Sequence, residues 1–165
     1  MNIKMTNETL MGADFTALIM KLDELYFPGK TQYWYNRVKK KIVNLAKEFE
    51  EAKIKILEQY GEKQPADPEK PGVVSYSLKV KASTLVAPEG ADKDAIAKIQ
   101  DAADEALSDK VQEDYTALLA IEVDLGINKL AVPDKWDDES EVPQGLQEMA
   151  EYIFDYDAKY ESEPK

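Results

Sequence analysis

The stretch that decides the fold is TQYWYNRVKKKIVNLAKEFEEAKIKILEQYG, Thr31 to Gly61. Tyr35, Val38, Ile42, Leu45, Phe49, Ala52 and Ile56 recur in it at steps of three and four, the interval that keeps side chains on one stripe of an α-helix. The spacing predicts a single long helix from about Thr31 to Tyr60, stopped by Gly61. Upstream, Met11, Phe15, Leu18, Leu22 and Leu25 form a second stripe of the same period, opened by Thr6 or Asn7 as cap and ended at Pro28-Gly29. Two helices with narrow apolar seams and a short turn between them bury those seams most economically against each other, so residues 6–61 are expected to form a long antiparallel helical hairpin.

Beyond Gly61 the period is lost. Pro65, Pro68 and Pro71 punctuate a polar stretch, residues 62–72, which reads as a flexible loop. In the β/α region that follows, residues 73–132, Val74, Tyr76, Leu78 and Val80 alternate with polar neighbours as a half-buried strand does. Asp92 then caps a helix carrying Ile96, Ile99, Ala103, Leu107, Val111, Tyr115 and Leu118, with a break expected near Ser108-Asp109. Ile121, Val123 and Leu125 alternate again, and Leu130 and Val132 suggest one strand more. Because a lone strand leaves its backbone unpaired, these strands are expected to join in one small antiparallel sheet. An acidic loop, 133–142, leads to a C-terminal helix, 143–160, that sets Leu146, Met149, Ile153, Tyr156 and Tyr160 on one face. The fold class expected is α+β and mostly α, in a single domain over 1–165.

Composition narrows the chemistry. The 165 residues include neither cysteine nor histidine, which removes thiolate and imidazole catalysis, disulfides and zinc sites built on those ligands. All seven glycines are isolated, so no phosphate-cradling loop is present. The 33 acidic against 21 basic residues give a net charge of -12, which opposes binding to a phosphate backbone. No apolar run reaches the length of a membrane helix, and Met1 to Leu10 has no secretory character, so a cytoplasmic protein is expected. Asp134, Asp137, Asp138, Glu139 and Glu141 cluster oxygen ligands but lack the glycine of a calcium-binding loop, and a solvated linker is expected there. No enzyme activity, cofactor or metal is anticipated.

Charge distribution is the functional hint. Lys30 to Lys47 carries six basic residues and no acidic one, whereas Pro133 to Lys165 carries eleven acidic residues against three lysines. Such asymmetry steers a charged partner or lets the molecule's own ends pair. Trp34, Arg37, Lys39, Lys40 and Lys41 are the candidate partner-binding residues at the basic end. Asp101, Asp104 and Glu105 are the candidates for an acidic face. Tyr33, Trp34 and Tyr35 beside the lysines have the makings of a base-stacking surface. The preferred expectation puts Tyr35 in the core seam, Trp34 under the hairpin turn and the lysines in solvent.

The runs KIVNLAKEFEEAKIKILEQYGEK, Lys41 to Lys63, and EDYTALLAIEVDLGINKLAVPD, Glu113 to Asp134, resemble small uncharacterised proteins of tailed bacteriophages and prophages. In those a long helix leads through a polar loop to a second helix and a short strand pair. The resemblance implies a phage origin, with another phage or host protein as partner, and carries no activity. Residue chemistry and resemblance together give the expectation of a non-enzymatic interaction protein, an assembly or accessory factor able to dimerise through its long helix. The alternative is an acidic inhibitor of a host defence system that mimics DNA.

Overall fold

The structure, a computed structural model, describes residues 1–25, 27, 29–132 and 147–155, with only the backbone for Gln147 and Glu148. Its elements run β1 (Asn2–Thr6), α1 (Asn7–Met11), α2 (Ala13–Glu24), α3 (Gly29–Tyr60), β2 (Glu62–Lys63), β3 (Tyr76–Ser77), α4 (Lys93–Ala120), β4 (Glu122–Asn128), β5 (Leu130–Ala131), α5 (Gln147–Ala150) and β6 (Phe154–Asp155). The protein is α+β and mostly helical. Its contacts divide it into two compact units, residues 1–49 with 119–165, and residues 50–118. Both boundaries fall inside a long helix, α3 and α4.

The first unit holds the core. β1 pairs antiparallel with β4, Thr6 opposite Glu122 and Lys4 opposite Asp124, with the register slipping between Asn2 and Lys4. Alternation turns Ile3 and Met5 of β1 and Leu125 and Ile127 of β4 inward, where all four are buried. At the slip, Gly126 adopts φ +65°, a left-handed conformation that side chains oppose, and its N–H donates to Asp124 Oδ1 at 2.7 Å. That bond, reinforced by Asn2 and Lys4, holds the Asp124 carboxyl below the usual carboxylate range.

Thr6 turns the strand into helix. Its Oγ1 accepts from the Thr9 N–H at 3.2 Å, while the Asn7 N–H donates to the Ile121 carbonyl. The expected first helix is in fact two. Gly12 stands extended between α1 and α2, receiving the Thr16 N–H on its carbonyl and donating its own N–H to Thr9. Leu10, Phe15, Leu18 and Leu22 pack with Tyr35, Val38 and Ile42 of α3 in the same buried cluster as the strand residues, and Leu45 lies against it half-buried. Phe49 is buried outside that cluster. Tyr35, fully buried, donates its hydroxyl to Asp23 Oδ1 at 2.9 Å, with the Ile19 carbonyl at 3.3 Å as a longer acceptor. Burial, and then the Asp23 carboxylate, push this phenol far above the ordinary tyrosine range.

The C-terminal helix expected over 143–160 is one turn where it is described. After α5 the chain extends into β6, which pairs parallel with β5, Leu130 opposite Phe154. Tyr152, Ile153 and Phe154 are β-branched or aromatic, and burying Ile153 and Phe154 beside Phe27 and Leu130 outweighs the helical spacing. The acidic loop 133–142 lies outside the described residues.

The second unit is built differently. Here α3 continues to Tyr60, and the polar loop begins as β2, paired antiparallel with β3. Of the expected strand over Val74 to Val80, only Tyr76–Ser77 is β, and it does not join the strand after α4. Among the described residues the single small sheet is therefore replaced by three separate strand pairs. α4 is capped by Asp92, whose Oδ1 accepts the Ala95 N–H at 2.8 Å, and runs unbroken through Ser108-Asp109. Tyr60 donates to Asp114 at 2.7 Å and Tyr76 to Glu58 at 3.1 Å. No residue between 50 and 118 is fully buried; the apolar positions of this unit are partly covered or exposed.

Candidate interaction surface on the long helix

Burial of Thr31, Tyr35, Val38 and Ile42 fixes the orientation of α3, and so sets what its opposite face displays. Tyr33, Trp34, Arg37, Lys40, Lys41 and Asn44 are all exposed there. Tyr33 and Trp34 meet edge to face, ring centroids 5.5 Å apart. The Arg37 guanidinium lies over both rings, 5.9 Å from the Tyr33 centroid and 5.4 Å from that of Trp34, and donates to the Tyr33 hydroxyl at 3.1 Å. Positions 33 and 37 are one helical turn apart, which is what lets the cation close over its own helix. The contacts fix a planar group that carries five N–H donors and commits one of them here. Beyond it, Tyr33, Arg37, Lys40, Lys41 and Asn44 line an open groove of about 430 Å³.

Trp34 does not pack under the hairpin turn. It is 37% exposed and belongs to this outer cluster, because Tyr35 takes the core position and the next residue on a helix points some 100° away. Lys39 also departs from expectation. Its ammonium pairs with Asp23 Oδ2 at 2.5 Å and helps orient the carboxylate that receives Tyr35, so it serves the fold and not the surface. Arg37, Lys40 and Lys41 have no acidic partner among the described residues.

The acidic candidates lie on α4 and divide in the same way. Asp104 is committed: its Oδ1 accepts the Val80 N–H at 2.7 Å and the Gln100 amide at 2.8 Å, while Gln100 also donates to the Val80 carbonyl. Asp101 and Glu105 stand exposed. Tyr33 was read from the sequence only as part of a possible base-stacking surface, and Asn44, Asp23 and Gln100 were not singled out. The four-residue step from Tyr33 to Arg37 was the one available signal for their pairing. Among the described residues no group of three acidic side chains converges on a cation site, and no helix is long and apolar enough to cross a membrane. No family model, curated protein or solved structure matches this chain.

Proposed function

We propose that the protein is a non-catalytic interaction factor that holds a carboxylate-bearing protein segment against the basic, aromatic face of α3. The observation that supports this is Arg37, oriented by two rings and a hydroxyl beside two lysines that have no acidic partner among the described residues. A guanidinium already held in place loses little freedom on accepting a carboxylate with two parallel N–H bonds. Carboxylates fit better than nucleic acid. A base-stacking platform presents open ring faces, whereas here the rings meet edge-on with Arg37 above them, and a net charge of -12 opposes a polyphosphate. The resemblance to phage proteins makes an accessory or assembly role the natural setting. Mimicry of DNA draws less support, because Asp104 spends its carboxylate on the Val80 loop.

The test is the fluorescence anisotropy of a labelled oligoglutamate peptide titrated with the full chain. Binding is expected at low salt and should weaken as the Debye length contracts from about 10 Å at 0.1 M to about 3 Å at 1 M. Replacing Arg37, Lys40 and Lys41 together by glutamate should abolish it, and Trp34→Ala should weaken it by loosening Arg37. Lys39 is left intact because its loss would disturb Asp23. Undiminished binding by the triple variant refutes the proposal.

A further inference from the structure

We infer that the carboxylate-bearing segment this surface takes is the outward face of α4 in a second copy of the same chain, an inference that rests on the reading just given. The acidic residues of α4 are not scattered. Asp101, Glu105, Asp109 and Glu113 follow one another at steps of four, each is exposed, and none forms an ion pair among the described residues. Arg37 and Lys41 repeat at the same step of four. With a rise of about 1.5 Å per residue, both rows place a charge every ~6 Å along a helix axis, so two such helices laid side by side match over successive turns.

Bulk is complementary as well. Trp34 and Tyr33 stand proud of α3, whereas the row beside the acidic one on α4 runs Lys98, Ala102, Ala106, Lys110, and its two central exposed alanines leave room for a ring between the lysines.

The net charge sets a distinctive salt dependence. Two copies of charge -12 repel over long distances, while the matched rows attract only at contact. Moderate salt, with a Debye length near 8 Å, damps the first more than the second; ~1 M salt, near 3 Å, damps both. Association therefore peaks at intermediate ionic strength.

Sedimentation velocity on the full chain over a hundredfold range of concentration tests this, with two charge-swap variants. Arg37→Glu with Lys41→Glu inverts the basic row, and Glu105→Lys with Asp109→Lys inverts the acidic one. The wild type should associate, each variant alone should associate ~10-fold or more weakly, and an equimolar mixture of the two should form a mixed complex. Circular dichroism shows that each variant is folded, and the mixture serves as a check that does not depend on it. A wild type that stays monomeric overturns the inference, as does self-association that neither variant weakens. If the monomer still holds oligoglutamate through Arg37, only the choice of a second copy fails; if it holds neither, the reading of the surface fails too.

Discussion

Replacing Tyr35 by phenylalanine isolates one buried polar contact with almost no change in shape. The ring, 1% exposed, keeps its packing against Phe27, 5.2 Å away between centroids, so no cavity forms and the change reports the hydroxyl alone. A hydrogen bond to a charged group is worth about 1.5–3 kcal/mol. The Asp23 carboxylate left behind retains Lys39 and is 36% exposed, so water partly replaces the phenol and the expected loss is ~1–2 kcal/mol. Urea unfolding measures it, and a double-mutant cycle with Asp23→Asn should return a coupling of ~1 kcal/mol.

An alkaline limb gives a second readout. Because the folded-state pKa of Tyr35 lies above that of the unfolded chain, its contribution is intact below pH ~10 and is lost as pH rises beyond that, at up to ~1.4 kcal/mol per pH unit. Tyr60, raised chiefly by its bond to Asp114, and Tyr76, raised by desolvation and its bond to Glu58, add to the same limb. Tyr35→Phe should flatten it by one group's share. A variant within ~0.3 kcal/mol of wild type, with an unchanged alkaline slope, would show that the Tyr35–Asp23 contact carries no stability.

Gly126→Ala should cost ~1–2 kcal/mol, since φ +65° is strained for any residue with a Cβ, whereas Gly29→Ala, with nothing within 4 Å of the new carbon, should be neutral or slightly stabilising; thermal melts compare the two. The contribution of Asp124, whose pKa is lowered, is present above pH ~4 and lost as pH falls below it, so Asp124→Asn should shift the acid midpoint toward neutrality when followed by far-UV circular dichroism. Asp104→Ala should speed amide exchange at Val80 while leaving the amides of the first unit unchanged, as hydrogen exchange by NMR would register.

Legibility followed the length of the repeating signal. The seam of α3 spans nearly six turns, and it foretold Tyr35, Val38, Ile42 and Phe49 as buried and Gly61 as the stop. Asp92 announced α4. Short elements were lost because they carry too few repeats: β1 shows only Ile3 and Met5, and β2 is Glu62–Lys63, two residues that look like loop in isolation. β6 was misread because 149 and 153 fit a helix as well as a buried extended segment, and only the presence of β5 decides between them. At the surface, the charge asymmetry was plain in the sequence. Which charged groups are free was not, because Lys39 and Asp104 are taken by Asp23 and the Val80 amide, partners 16 and 24 residues away.

The pairing of β1 with β4 has a consequence for how the chain is made. Thr6 leaves the ribosome more than a hundred residues before its partner Glu122, and at about 5–20 residues per second that is a wait of roughly 6–23 s. During it Ile3 and Met5, buried in the finished protein, have no partner strand, while the local turns of α2 and α3 form within microseconds. The nascent chain thus spends seconds as a helical intermediate with an adhesive first strand. Chaperone capture of stalled chains should be strongest for arrest points between α3 and β4, and should fall once Asn128 has emerged.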